Sequence, residues 1–281
     1  MPPSFSPYFM YGTAWKEDES RRLTRLAIES GFRAIDTANQ RKHYHEVGVG
    51  EGIADAIQAG LVTREDLFLQ TKFTYLAGQD ARLPYDPQAD FPTQVRQSFQ
   101  SSLEHLGTDR LDSYVLHGPS QGEGLGDCDH EVWETMEALH GGGGIGVLGV
   151  SNVNLGQLEA LCAAAQVAPS FVQNRCYARR GWDREIRSFC RERGIVYQGF
   201  SLLTANRKEL KLPVIAGLAE RLGKTPAQVV FRFALEVGML PLTGTTDAAH
   251  MREDLAAHEL KLSPAEIAAI EGCSQRDEPR S

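Results

Sequence analysis

Three residue types that suit proton transfer stand near the ends of three consecutive apolar runs in this sequence: Asp36, Lys72 and His117. Each alone has an ordinary structural explanation, because buried ion pairs and hydrogen-bonded histidines also occur in protein cores. If the runs are neighbouring parallel strands, however, their C-terminal ends share one face. An acid, an ammonium and an imidazole on that face predict a catalytic site.

The apolar runs have the length and composition of strands buried on both faces. There are eight of them, over residues 7–13, 32–37, 67–73, 113–119, 145–152, 171–177, 195–203 and 239–245. Amphipathic patterns between them predict helices, including 19–30 and 94–107, and capping boxes at Thr225 and Ser263 predict two more helix starts. Strands that alternate with helices, without a long polar linker, predict an α/β fold: a single (β/α)8 TIM barrel domain over residues 1–281.

The alternative to a closed barrel is an open doubly wound sheet with a glycine-rich phosphate turn. The stretch GGGGIG (141–146) matches G-x-G-x-x-G, but it follows a helix and leads into a strand. A dinucleotide-binding turn needs the reverse order, strand then helix. We therefore interpret this stretch as a loop at the N-terminal face of the barrel.

Composition narrows the class of protein. The formal net charge of −8 argues against a nucleic-acid binder, which needs a basic face, and no run reaches the ~20 apolar residues of a membrane span. The N-terminal residues MPPSFSPYFMYG lack the pattern of a signal peptide. The five cysteines form no CxxC pair and are expected to be free thiols. These features predict a cytoplasmic protein.

Several short motifs around these strand ends resemble the aldo-keto reductase family. They are GFRAIDTA (31–38), LQTKF (69–73), YVLHGP (114–119), LGVSNVN (148–154), VQN (172–174) and GTTDAAHMREDL (244–255). The resemblance implies a barrel, a nicotinamide cofactor bound without a Rossmann fold, and the reduction of aldehydes or ketones to alcohols. It marks Asp36, Lys72 and His117 as three of four catalytic residues.

The fourth catalytic residue of the family is a tyrosine, and here the chain departs from the usual spacing. The common pattern places it five residues after the aspartate, where this sequence has Arg41. Tyr44, in a longer QRKHY loop, is the tyrosine we assign to the role. His43 or His45 is the alternative proton donor.

Physical chemistry explains why these groups suit carbonyl reduction. Negative charge grows on the carbonyl oxygen as hydride arrives at carbon, and a tyrosine hydroxyl with a pKa near ~10 can supply a proton at neutral pH. Lys72 would stabilise the phenolate, and Asp36 would orient Lys72. His117 would hydrogen-bond the carbonyl oxygen and position it.

The resemblance also implies a set of cofactor-binding residues around the barrel mouth. Polar side chains there suit a carboxamide, an aromatic ring suits stacking on the nicotinamide, and later positions suit the phosphates. The set comprises Gly12, Thr13, Ser151, Asn152, Gln173, Phe200, Ser201, Leu203, Gly244, Thr245, Thr246 and His250. The N-terminus of the helix that follows Thr246 is expected to favour a phosphate.

The choice between NADP(H) and NAD(H) is open. The family resemblance favours NADP(H), but the lysine and arginine that family members commonly carry near the 2′-phosphate appear here as Gly244 or Asp247, and His250. An acid there would repel the phosphate, so NAD(H) is the alternative cofactor.

Two other functions compete with carbonyl reduction. The H-x-H motif formed by His43 and His45 suggests a metal-dependent hydrolase, although no further histidine follows on strands five and six. The altered tyrosine loop suggests, as the second alternative, a cofactor-binding regulatory subunit with little or no turnover. The expected partner is a small carbonyl or alcohol, without a nucleic acid or a membrane; the sequence identifies neither that substrate nor an oligomeric state.

Overall fold

The structure is a computed structural model that describes residues 8–274. The predicted first strand begins at Pro7, which lies outside the described residues, as do the other residues of 1–7 and residues 275–281. The strands are β1 (Met10–Gly12), β2 (Ala34–Asp36), β3 (Phe68–Phe73), β4 (Leu111–Leu116), β5 (Ile145–Ser151), β6 (Phe171–Arg175), β7 (Val196–Phe200) and β8 (Met239–Thr243).

The strands form a closed parallel barrel in chain order, which confirms the predicted (β/α)8 architecture. β1 closes the sheet against β8, with Met10 opposite Leu242 and Tyr11 opposite Thr243. Every predicted strand is present, but most are shorter than their apolar runs. For example, β7 ends at Phe200 because Ser201 takes a left-handed backbone conformation, with φ of 56°.

Helices surround the barrel: α1 (Ser20–Ser30), α2 (Glu46–Gln58), α3 (Phe91–Leu106), α4 (Asp127–Gly141), α5 (Leu155–Ala164), α6 (Arg184–Glu192), α7 (Pro213–Leu222), α8 (Pro226–Glu236), α9 (Ala248–Ala256) and α10 (Pro264–Glu271). The predicted capping boxes at Thr225 and Ser263 begin α8 and α10. Gly31 ends α1 with φ of 112°, a conformation that costs glycine little. The GGGGIG stretch connects the end of α4 to β5, as predicted.

The barrel interior has an apolar floor and a polar layer above it. Met10, Phe68, Phe171, Leu240 and Leu242 form much of the floor, and the larger apolar core lies between the sheet and the helices. The polar layer consists of buried side chains from four strands, Asp36, Gln70, Gln173 and Gln198. This layer supports the residues at the C-terminal ends of the strands.

Among residues 8–274, none of the helices is both long and apolar enough to cross a membrane.

Candidate active site

A cavity of about 1070 Å³ lies at the C-terminal ends of the strands. This is the face where barrel enzymes carry their active sites. Most of the residues assigned to the site from the sequence line it: Gly12, Asp36, Tyr44, His117, Ser151, Asn152, Gln173, Phe200, Ser201, Leu203, Gly244, Thr245 and His250.

Lys72 is fully buried beside the cavity rather than in its lining. Its Nζ donates to Asp36 Oδ1 at 2.6 Å and to the Thr37 carbonyl at 2.7 Å. Burial lowers the pKa of Lys72, and the adjacent Asp36 carboxylate opposes that shift. An ammonium has three N–H donors, so one remains for another acceptor.

Asp36 is fixed by a hydrogen-bonded layer that joins opposite walls of the barrel. Its Oδ1 also accepts from Gln70 Nε2 at 2.7 Å and from Gln173 Nε2 at 2.9 Å. Gln198 completes the layer, because its Oε1 accepts from both glutamines and its Nε2 donates to Gln70 Oε1 at 2.9 Å. Gln70 and Gln198 were not predicted as site residues from the sequence. Their position within apolar runs was the signal that could have identified them.

Tyr44 reaches the cavity through a tight turn. The amides of His43 and Tyr44 both donate to the carbonyl of Gln40, a buried residue whose Nε2 donates to the Gly78 carbonyl at 2.7 Å. The turn brings the Tyr44 ring centroid to 5.3 Å from Lys72 Nζ and 5.9 Å from the His117 ring centroid. Burial, with a smaller contribution from Asp36, raises the pKa of Tyr44, so its hydroxyl keeps its proton at neutral pH.

The two histidines that flank Tyr44 lie in different surroundings. His43 lines the cavity and packs on Trp15, with ring centroids 4.0 Å apart. Burial and the neighbouring Lys42 lower the pKa of His43. His45 does not line the cavity; its Nδ1 lies 3.2 Å from the Glu17 carbonyl oxygen, at the start of α2.

His117 is held in place from two sides. Thr74 Oγ1 lies 2.7 Å from its Nδ1, and Asn152 Nδ2 donates to its carbonyl at 2.8 Å. Burial, reinforced by Lys72, lowers the pKa of His117 to about 3. The imidazole is therefore neutral at physiological pH and has one ring nitrogen to donate and one to accept.

The polar residues expected to meet a carboxamide present mainly acceptors to the cavity. Gln173 Nε2 is committed to Asp36 and Gln198, and Asn152 Nδ2 to His117 and Ser151. Ser151 Oγ donates to the Gln173 carbonyl at 2.6 Å. Asn152 Oδ1 and Gln173 Oε1 remain, and these two oxygens suit the N–H donors of a carboxamide.

Three residues of the lining have an uncommon backbone conformation, and the first of them is Trp15, with φ of 63°. Asn152 and Ser201 follow β5 and β7 directly and have φ of 55° and 56°. The left-handed region costs a non-glycine residue free energy, and such residues cluster at functional sites. Phe200, the last residue of β7, directly precedes Ser201 and also lines the cavity.

The loop between β8 and α9 and the first turns of α9 contribute one part of the cavity lining. Gly244, Thr245 and His250 line the cavity, together with Asp254, a residue that the sequence reasoning did not assign. Thr243 Oγ1 donates to Asp254 at 2.8 Å, and burial raises the pKa of Asp254 to about 6.

The N-terminus of α9 is occupied by the chain's own carboxylate. Asp247 Oδ1 accepts from the backbone N–H of Ala249 at 2.8 Å and of His250 at 3.0 Å. These bonds lower the pKa of Asp247, which is therefore charged at neutral pH. The carboxylate takes the amide donors that were expected to favour a phosphate.

Besides Lys72, two of the assigned residues do not reach the cavity lining. Thr13 is fully buried, and its Oγ1 donates to the Asp36 carbonyl at 2.9 Å, which joins β1 to β2. Thr246 is exposed in the turn before α9. Conversely, Lys16 lines the cavity and its Nζ donates to the Gly244 carbonyl, across the β1 and β8 loops. Lys16 was not predicted from the sequence, and its position directly after Trp15 was the signal that could have identified it as a residue of the cavity lining.

Within residues 8–274, no group of three or more histidine, cysteine, aspartate or glutamate side chains is arranged to hold a metal ion. This includes His43 and His45, the pair that raised a metal-dependent hydrolase. Their surroundings separate them, because only His43 faces the cavity.

Comparison with known proteins agrees with this geometry. The model of the Aldo/keto reductase family matches residues 9–275. The chain is 30% identical over 271 residues to an uncharacterized oxidoreductase, YtbE, of Bacillus subtilis (strain 168), with 96% of this chain and 89% of that protein covered. It is 28% identical, with the same coverage, to the glyoxal reductase of that organism.

A solved structure shares the fold. The crystal structure of an aldo/keto reductase from Brucella melitensis matches with a TM-score of 0.80 at 26% identity, over 94% of each chain. The (β/α)8 barrel, the cavity at the C-terminal ends of its strands and the family match over residues 9–275 lead to one assignment. The chain belongs to the aldo/keto reductase family of oxidoreductases, which act on carbonyl compounds.

Proposed function

We propose that this protein is a nicotinamide-dependent carbonyl reductase in which Tyr44 is the proton donor. The observation that carries the proposal is the position of Tyr44, with its ring centroid 5.3 Å from Lys72 Nζ and 5.9 Å from the His117 ring. A hydroxyl, a buried ammonium and a neutral imidazole thus meet at one cavity. They are the groups that protonation of a carbonyl oxygen requires.

The chemistry of the lining fits a nicotinamide cofactor. Asn152 Oδ1 and Gln173 Oε1 would accept from its carboxamide, and Phe200 would pack against its ring. When bound, the cofactor supplies the hydride. The residues toward α9 would hold its adenosine half, and there the Asp247 carboxylate counts against a 2′-phosphate, so the chain's own residues support NAD(H) as much as NADP(H).

Tyr44 gives its proton to the carbonyl oxygen, and Lys72 makes that transfer less costly. An ammonium at ~4 Å stabilises a phenolate by about 4 kcal/mol at an effective dielectric constant of about 20. Burial raises the pKa of Tyr44, so this stabilisation is needed. Asp36 keeps Lys72 charged and directed toward the tyrosine.

His117 positions the substrate rather than protonating it. Its pKa of about 3 leaves no imidazolium to donate at neutral pH. A neutral ring whose Nδ1 accepts from the Thr74 hydroxyl carries its proton on Nε2. Nε2 can then hydrogen-bond the carbonyl oxygen and hold it within reach of Tyr44.

The test of the proposal is substitution of Tyr44 in an assay of NADPH and NADH consumption. The substrate panel holds nitrobenzaldehydes and glyoxal, the latter because a relative is named glyoxal reductase. Tyr44→Phe should lower turnover by about two to four orders of magnitude, the size of a general-acid contribution, with cofactor affinity nearly unchanged. His45→Ala, whose side chain faces away from the cavity, is the control and should keep its turnover.

Two results would contradict this assignment. An active Tyr44→Phe with an inactive His43→Ala would transfer the donor role to His43. Cofactor binding by the wild type without turnover of any carbonyl would favour a regulatory subunit.

A further inference from the structure

Three arginines surround one tyrosine at the end of β6. The guanidinium carbons of Arg175, Arg179 and Arg180 lie 5.6, 5.0 and 5.3 Å from the ring centroid of Tyr177. Because all three face the same ring, their positive charges are concentrated in a small region. We call these three residues the arginine cluster.

No carboxylate neutralises the arginine cluster within the described part of the chain, where none of the three side chains joins an ion pair. The arginines that follow in sequence behave differently: Arg184 and Arg187 both pair with Glu271. All three side chains of the cluster are exposed. In a protein with a net charge of −8, an unpaired group of three guanidinium ions is available to bind an anion.

The segment that carries Arg179 and Arg180 is anchored to the body of the protein. Trp182, directly after it, is fully buried, and its Nε1 donates to the Ile270 carbonyl at 3.3 Å. At the other end, Asn206 Oδ1 accepts from the Ala178 amide at 2.8 Å. The cluster is thus presented from a fixed segment, which lowers the entropy cost of binding.

One member of the arginine cluster reaches the cavity. Arg175 lines the cavity and pairs in register with Phe200. It lies two residues beyond Gln173 on the same face of β6, a step of ~7 Å along a strand. Gln173 Nε2 in turn contacts Asp36 at 2.9 Å, the carboxylate that holds Lys72.

We propose that the arginine cluster binds the anionic group, a carboxylate or a phosphate, of the carbonyl substrate. The proposal rests on the proposed carbonyl reductase function and adds the substrate class, aldehydes or ketones that carry a negative charge. A planar guanidinium matches both anions with paired hydrogen bonds. The substrate is the source of the anion because Arg175 pairs in register with Phe200, the residue proposed to pack against the nicotinamide ring, while the residues proposed to hold the adenosine half lie toward α9.

Direct binding tests the proposal without relying on turnover. The probe is para-(hydroxymethyl)benzoate, the alcohol that reduction of para-carboxybenzaldehyde would give, titrated calorimetrically with and without nicotinamide cofactor. Arg175→Gln should weaken its binding about tenfold and the triple variant with Arg179→Gln and Arg180→Gln about a hundredfold. Arg193→Gln is the matched control, because Arg193 lies over the Phe189 ring before β7, at the opposite end of the barrel.

A pair of substrates gives a second measurement. The triple variant should raise the KM for para-carboxybenzaldehyde at least tenfold and leave the KM for its neutral methyl ester, methyl para-formylbenzoate, unchanged within about twofold. Equal affinity of the wild type and the triple variant for the carboxylate would overturn the proposal. So would a loss confined to NADPH or NADH affinity, which would make the cofactor the source of the anion.

The two proposals can fail separately. If no aldehyde is turned over but carboxylate binding still depends on the three arginines, carbonyl reduction is refuted and the anion site stands. If neutral aldehydes are reduced and the carboxylate probe does not respond to the substitutions, the anion site is refuted alone.

Discussion

The role proposed for Tyr44 depends on where its loop turns. Spacing from Asp36 alone would have given the role to Arg41, whose Nη1 instead donates to Glu17 at 2.8 Å in an exposed ion pair. Because of the turn anchored on Gln40, the side chains of residues 40–45 point in different directions. Tyr44 and His43 face the cavity, and His45 faces the β1 loop.

His117 gives the stability of the protein a predictable dependence on pH. Its pKa is about 3 in the folded protein, against an ordinary value of 6.5. As the pH falls below about 6.5, the unfolded chain binds a proton here and the folded chain does not, so the free energy of unfolding decreases by at most about 1.4 kcal/mol per pH unit. His117→Gln should lack this contribution.

Urea unfolding of both proteins at about pH 6 and about pH 4.5 measures the difference. The wild type should lose about 2 kcal/mol more than His117→Gln over this interval. The other titrating groups are common to both proteins and cancel. An identical loss in the two proteins would mean that His117 is protonated in the folded state.

At the scale of elements, α2 can pack closely only because it carries glycines. A Cβ on Gly50 would lie 1.9 Å from the carbonyl oxygen of His105, at the end of α3. Gly50→Ala should therefore lower the free energy of unfolding by about 3 kcal/mol, since the clash is with backbone and outweighs the gain of about 1 kcal/mol in helix propensity. Thermal or urea unfolding measures the change.

Gly217, in the middle of α7, is the matched control. A Cβ there would meet nothing within 4 Å. Gly217→Ala should stabilise the protein by up to about 1 kcal/mol, because alanine is the better helix former. Destabilisation by both substitutions to a similar extent would contradict this account of α2 packing.

The capped N-terminus of α9 leads to a prediction about cofactor choice. Asp247 holds the amides of Ala249 and His250 with a charged carboxylate. Asp247→Ser would keep a capping oxygen and remove the charge, so affinity for NADPH should rise about three- to tenfold while affinity for NADH stays nearly constant. Quenching of intrinsic fluorescence on titration with each cofactor gives the two dissociation constants.

Asp109→Ser is the control for a general change in charge. Asp109 is exposed on the loop before β4, at the opposite end of the barrel from the cavity. It should alter neither affinity. An equal gain in NADPH affinity from both substitutions would show that net charge, and not the helix cap, decides the preference.

For the whole molecule, the sequence predicts the architecture well and the contacts of the site only in part. Buried parallel strands are short apolar runs with turn residues at their ends, so all eight could be found without any tertiary information. The placement of Asp36, Lys72 and His117 at one face follows from barrel topology alone. Strand ends such as Ser201 were missed because a single left-handed residue ends a strand without changing the apolar pattern.

Other features depend on contacts between distant parts of the chain. Gln70 and Gln198 meet across the barrel, and no local periodicity predicts that pairing. The acidic charge of Asp247 was noted from the sequence. Its hydrogen bonds with the amides of Ala249 and His250, however, depend on the turn that precedes α9. The arginine cluster likewise emerges only when the segment after β6 folds back around Tyr177.

The polar layer links opposite walls of the barrel through hydrogen bonds, and a substitution in it should affect both stability and turnover. Gln198→Leu removes the acceptor shared by Gln70 and Gln173, so the Nε2 of each glutamine keeps only Asp36 as an acceptor and Gln70 Oε1 loses its donor. It should cost about 2 kcal/mol of stability and lower turnover about tenfold by loosening Asp36, with little effect on cofactor affinity. Gln100→Leu, the same substitution on the exposed face of α3, should change neither quantity.

That layer also sets the order in which the molecule can assemble. Asp36 and Gln173 are separated by 137 positions, and Gln70 and Gln198 by 128. Contacts between residues so far apart carry a large loop-closure entropy, so they form after the local helices. A chain still being synthesised cannot orient Asp36 until β7 has emerged. During refolding, recovery of cofactor binding should therefore lag behind recovery of the helical signal, and the length of that lag measures how long the barrel takes to close.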